Sequence, residues 1–254
     1  MPIAAEIYYQ QHEDTTDQDE PGLVFIHGAG GNHLYWPFNL RRLPGCRVYA
    51  VDLPGHGRSG GPGQPTIAGY GERIVQWLQA IHLRRVVFVG HSMGSAIALW
   101  LALEAPQQVG GLILIGAAAQ LKVNPALIAS AANPVSFPQV VETIIHWSFS
   151  RQAPSQLTRL ATRRMLETNP SLLHSDLLAC DSFNIQARLP EIHCPTLVIC
   201  GAEDKMTPPN SGRSLAEHIA GASLEIIPSA GHMAMIEQPQ AVEQILVEFL
   251  TVFK

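Results

Sequence analysis

Short, wholly apolar runs recur along this chain, and each stops abruptly at small or polar residues. Leu23-Val24-Phe25-Ile26 runs into His27-Gly28, Val48-Tyr49-Ala50-Val51 into Asp52, and Val86-Val87-Phe88-Val89 into Gly90. Leu112-Ile113-Leu114-Ile115, the stretch 196–200 and Ser223–Ile227 continue the series. Strands that are apolar at consecutive positions are covered on both faces, as in a parallel sheet layered between helices. Between them, Ile67, Tyr70, Ile74, Trp77/Leu78 and Ile81 recur at helical spacing, as do Val242, Ile245, Leu246, Phe249 and Leu250. Strand and helix in alternation predict right-handed crossovers and an α/β fold with a mostly parallel, doubly wound sheet. A hairpin over 3–10 is weakly signalled. The alternation lapses over 119–189, where four helical patterns are punctuated by Pro125, Pro134, Pro138, Pro154 and Pro170. Proline suits the first turn of a helix, where its missing N–H would be unpaired anyway. The pattern therefore predicts a core of 1–118 and 190–254 carrying a helical insertion over 119–189.

Composition narrows the class. Of 254 residues, 46% are hydrophobic and 15% charged, which supplies a large core and excludes a disordered chain. The net charge of -5 gives no basic field for nucleic acid. No apolar run is long enough for a membrane span. The N-terminus turns polar and acidic over 12–20 rather than forming a secretory signal, so a cytoplasmic location is expected. Cys46, Cys180, Cys194 and Cys200 form no C-x-x-C pair and have no histidines at zinc spacing. They read as free thiols, and no metal or cofactor is expected.

The chemistry concentrates at the strand ends. Gly90-His91-Ser92-Met93-Gly94 is a G-x-S-x-G pentapeptide between a strand and a helical pattern, the setting of a nucleophile elbow. A serine on so sharp a turn requires small neighbours, and Gly90 and Gly94 supply them. The turn lifts the hydroxyl above the sheet edge and aims helix N-terminal N–H groups at the same point. A serine hydroxyl needs a base. Among eleven histidines, His232 lies in the loop after the last predicted strand, at the edge where open α/β sheets place ligands. The base needs an acid, and Asp204 follows the 196–200 strand. Glu203 is a rival, Asp176 and Asp181 in the insertion are weaker ones, and Asp52 reads as part of a structural turn. An oxyanion requires donors. Met93 N–H is one candidate, and Ala29 N–H, in the Gly-rich loop after the first long strand, is the other, with Gly28 or Gly30 as alternatives. That loop does not fit a dinucleotide site, because His33 stands where a third glycine would fall.

With these motifs, His27-Gly28-Ala29-Gly30-Gly31, Asp52-Leu53-Pro54-Gly55-His56-Gly57-Arg58-Ser59, and Gly231-His232 ahead of Glu237-Gln238-Pro239, the chain resembles the α/β-hydrolase superfamily, in its compact form with a helical cap. The resemblance covers nearly the whole chain. It implies a serine hydrolase that cleaves small-molecule carboxylic esters through an acyl-enzyme. Members of this fold that are dehalogenases or epoxide hydrolases carry aspartate where Ser92 stands. The same machinery also serves carbon–carbon bond hydrolases, lactonases and slow-turnover ligand receptors. Leu34, Trp36, Phe137, Trp147, Met206 and Met233 are expected to line an apolar substrate site, with the Met93 side chain near it. Arg151, Arg159, Arg163 and Arg164 are read as a solvated helix surface rather than an acid-binding site.

Overall fold

A computed structural model describes residues 2–14 and 21–253. The greater part of the acidic N-terminal stretch, 15–20, lies outside the described residues. The elements in chain order are β1 (Ile3–Ala4), β2 (Ile7–Glu13), β3 (Leu23–Ile26), β4 (Arg47–Val51), α1 (Ile67–Ala80), β5 (Val86–His91), α2 (Met93–Glu104), β6 (Val109–Ile115), α3 (Pro125–Ala131), α4 (Phe137–Ser148), α5 (Ser155–Leu166), α6 (Pro170–Asp181), β7 (Thr196–Gly201), α7 (Pro209–His218), β8 (Ser223–Ile227), α8 (Ala234–Glu237) and α9 (Pro239–Leu250). The strands form one sheet in the order β1-β2-β4-β3-β5-β6-β7-β8. β1, β2 and β4 pair antiparallel, and every pairing from β4 onward is parallel. The six apolar runs are the six parallel strands, and the weakly signalled hairpin is β1–β2.

Both faces of the sheet are covered, which is why those runs are continuous. Val24 and Ile26 of β3 pack into one apolar cluster with Ile74, Trp77 and Leu78 of α1 and Ile97 of α2. Leu23 and Phe25, alternate residues of the same strand, join a second cluster with Val242, Leu246 and Leu250 of α9. β3 is flanked by β4 on one side and β5 on the other. The winding direction reverses there, and the loops after β3 and β5 diverge to leave a crevice at the carboxyl edge.

Between β6 and β7 the chain forms the four helices α3–α6. Their starts follow local chemistry: Pro125 and Pro170 each occupy a first turn, and the Asn124 and Asn169 side chains accept from Ala126 N and Ser171 N. The two ends of this segment are held together by Ile185 N donating to Ala119 O and by a bridge between Gln120 and Asn184. No helix among the described residues is long and apolar enough to cross a membrane.

Candidate active site

The crevice is built from three loops. At the end of β5, Ser92 adopts φ 52° and ψ -117°, a conformation that costs a non-glycine residue about 1–3 kcal/mol. The surroundings hold it there: Ser92 N donates to Ile115 O at 2.9 Å, and the Ser95 hydroxyl donates to Gly90 O at 2.7 Å. The flanking glycines are sterically required. A Cβ on Gly94 would lie 2.1 Å from Ile26 O, and one on Gly90 would lie 2.4 Å from Gly94 O. α2 starts at Met93 with Ser92 as its N-cap residue, and Ser95 N and Ala96 N donate to Ser92 O at 2.8 and 3.2 Å. The Met93 side chain itself is buried in the core and lines neither of the two cavities described below.

His232 follows β8. Its Nδ1–H donates to Asp204 Oδ2 at 2.8 Å, and its Nε2 is buried without a partner. The carboxylate at Nδ1 orients the ring and leaves Nε2 as the nitrogen without a partner. Asp204 is fixed in turn by Met206 N and Thr207 N on Oδ1 and by the Thr207 hydroxyl on Oδ2. Burial would raise the Asp204 carboxyl, but His232 and these donors hold it below its usual range. Glu237 pins the loop by accepting from Gly231 N at 2.7 Å and Ser150 N at 2.9 Å. The His91 ring lies 4.8 Å from the His232 ring, and its Nε2–H donates to His232 O at 3.0 Å. Burial, with His232 second, pushes His91 down to about 3, so it adds no charge beside the base.

The rival acids have other partners. Glu203 accepts from Arg151 N and Asp181 from Val123 N. Asp52 accepts from His33 N, His33 Nδ1 and Arg58 N, which ties its turn together. Asp176 of α6 is fully buried and accepts from Gly30 N at 2.8 Å, His56 Nε2 at 2.8 Å and the Tyr70 hydroxyl at 2.5 Å. Although burial alone would lower it, His56 is raised above its ordinary value by this carboxylate. A helix of the inserted segment is thereby bolted to the glycine loop after β3. In that loop His27 Nδ1–H donates to Gly28 O at 2.8 Å, and its Nε2 accepts from Leu53 N at 3.0 Å.

Ser92 and His232 line one cavity of about 50 Å³, with Gly28, Ala29, Tyr35, His91 and side chains of α4, α6 and the following loops. Met206 and Met233, two of the residues the sequence analysis named, are among them. A second cavity of about 220 Å³ shares Tyr35 and Met233 with the first and is lined by Leu34, Pro37, Leu157, Leu160, Ala161, Arg164, Ile236 and Pro239. Leu34 thus lines this channel rather than the cavity that Ser92 lines. Three expected lining residues lie elsewhere. Trp36 is fully buried, edge-on to Phe25 with ring centroids 4.9 Å apart, and is a core residue. Phe137 is 4% exposed on the inward face of α4 with Val140, Val141 and Ile144. Trp147 falls off that helical face, is 36% exposed and lines neither cavity. The sequence reading missed Tyr35, which sits one residue before the tryptophan it singled out, and the anchoring role of Asp176. Arg164 lines the channel, whereas Arg151, Arg159 and Arg163 line a separate open groove.

The family profile of the alpha/beta hydrolase fold matches residues 21–239. The chain belongs to the α/β-hydrolase family. Among curated relatives, "Protein ABHD8" of Mus musculus is 29% identical over 248 residues, covering 90% of this chain and 54% of that protein. The chain therefore spans about half the length of that relative. The 3-oxoadipate enol-lactonase 1 of Acinetobacter baylyi is 27% identical over 241 residues, covering 92% of this chain and 90% of the enzyme. Among solved structures, a hydrolase from Pseudomonas aeruginosa superposes with a TM-score of 0.84 at 30% identity, covering 96% of this chain and 94% of that one.

Proposed function

We propose that this α/β hydrolase is a serine esterase working through a Ser92–His232–Asp204 triad. The observation that carries the reading is His232: its Nδ1 is tied to a buried carboxylate, its Nε2 has no partner, and the residue lines the small cavity that Ser92 also lines. In this mechanism Ser92 Oγ attacks the ester carbonyl carbon as Nε2 takes the hydroxyl proton. Asp204 stabilises the imidazolium. The tetrahedral oxyanion is held by the N–H groups of Met93 and Ala29. The assignment of Ala29 is favoured because its neighbour's donor, Gly30 N–H, is already engaged by Asp176. One such donor contributes roughly 3–4 kcal/mol to the barrier reduction. Collapse breaks the bond to the alkoxide, which leaves with the proton from Nε2. Water, deprotonated by the same nitrogen, then hydrolyses the acyl-serine and regenerates the hydroxyl. No step requires a cofactor. The four helices α3–α6 act as a cap over the crevice.

Ser92→Ala should abolish hydrolysis of 4-nitrophenyl acetate while leaving the thermal unfolding transition in place. Retention of wild-type turnover in that variant would remove the proposal. A second reading, lactone opening by the same steps, is favoured by the similarity to an enol-lactonase over nine-tenths of both chains. A panel of lactones and matched open-chain esters separates the two by their kcat/KM values.

A further inference from the structure

The catalytic cavity, at about 50 Å³, accommodates the reacting group and little more, so most of a substrate must lie in the adjoining channel of about 220 Å³. The channel wall is carbon, from Leu34, Pro37, Leu157, Leu160, Met233 and their neighbours, with two exceptions. One is Tyr35, at the junction of the two spaces. It is 7% exposed, and its hydroxyl has no hydrogen-bond partner. Its ring is held against the glycine loop, where a Cβ on Gly31 would lie 3.2 Å from it. A buried hydroxyl left unpaired is destabilising, so an orphan of this kind calls for an explanation. The other is Arg164, half-buried on α5, which spends one N–H on Leu34 O at 3.3 Å and forms no ion pair among the described residues. Its charge reaches the Tyr35 hydroxyl more strongly than that of Glu167, the carboxylate that opposes it there.

An apolar channel lined by one guanidinium, with a buried unpaired phenol hydroxyl beside it, has no carboxylate in its wall. Its complement is an apolar chain ending in an anionic oxygen. We propose that Tyr35 and Arg164 form a specificity subsite for esters whose acyl chain carries a terminal carboxylate, with the chain lying along the channel and its far end on Arg164. The proposal rests on the serine-esterase reading for its chemistry and adds the substrate class.

The test compares kcat/KM for two ester pairs of equal chain length: 4-nitrophenyl hexanoate with mono-4-nitrophenyl hexanedioate, and 4-nitrophenyl octanoate with mono-4-nitrophenyl octanedioate. The wild type should favour the carboxylated member of at least one pair by about tenfold or more, the scale of one hydrogen bond to a charged group. Arg164→Gln should bring that ratio down about tenfold, Arg164→Lys should retain part of it, and Tyr35→Phe should lower it by a smaller factor. A wild-type ratio of one or less in both pairs, or a ratio that Arg164→Gln leaves unaltered, overturns the subsite. Cleavage of the neutral esters reports separately on the esterase reading. If no ester is cleaved, calorimetric titration of the intact chain with octanedioate decides the subsite alone. Binding that Arg164→Gln abolishes supports it, and absence of binding overturns it.

Discussion

Asp176 sits 120 residues from His56 and 146 from Gly30, and no local pattern marks it, yet it joins three segments around the crevice. In Asp176→Ala, the Gly30 N–H, the His56 Nε2–H and the Tyr70 hydroxyl lose their acceptor in a region with no access to solvent. Each of the three buried donors left without an acceptor costs about 1–3 kcal/mol, lessened where the site relaxes. We expect a net loss of about 4 kcal/mol. For a chain of this length, at about 2–4 °C per kcal/mol, the midpoint of thermal unfolding should fall by roughly 10 °C. Urea denaturation and thermal circular dichroism at pH 7 measure this. Asp176→Asn retains the shape and one acceptor, so it should lose about half as much. Because Gly30 follows Ala29, the Asn variant should also lower kcat more than it changes KM. A loss under 1 kcal/mol in Asp176→Ala would refute the claim that this carboxylate holds the loop to α6.

Other consequences follow from the same geometry. Trp36→Ala should cost about 3–5 kcal/mol in urea denaturation, as for a buried aromatic, and a near-neutral effect on stability would return Trp36 to the substrate site. His27 and His91, ordinarily at 6.5, are lowered by burial to about 4 and about 3. Between pH 6.5 and about 4 the unfolded chain therefore binds more protons than the native one at these rings. The contribution of these two rings to stability should be intact above pH 6.5 and fall on acidification by roughly 2–3 kcal/mol per pH unit; a flat pH 5–6.5 profile in urea midpoints would contradict the burial. Asp204→Asn should leave the fold intact and reduce kcat by about 10⁴, because the wrong imidazole tautomer is then favoured; stopped-flow or steady-state ester hydrolysis checks this.

The fold was legible because burial on both faces writes itself into consecutive apolar positions: Leu23 and Val24 contact opposite layers, and both must be apolar. The four helices between β6 and β7 were legible from proline placement, since Pro125 and Pro170 stand where helix starts tolerate them. That Ser92, Asp204 and His232 lie at one edge was legible because each sits in the segment that follows a strand, and a parallel sheet brings such segments together. Orientation within a loop was not legible. Tyr35 and Trp36 are adjacent, one facing the cavities and one the core, and nothing in their identities says which. Phe137 and Trp147 lie on one helix, yet only the angle between them around its axis decides which is buried. Asp176 looked like any helical acid, because its three partners are distant in sequence.

The central claim is that Ser92 is a nucleophile activated by His232. Incubation with a small fluorophosphonate ester, followed by mass analysis of the intact chain and its peptides, tests it directly. The account predicts a single adduct on Ser92, formed in step with loss of ester hydrolysis and suppressed in His232→Ala. An adduct at another residue, or undiminished hydrolysis with Ser92 fully modified, would contradict it.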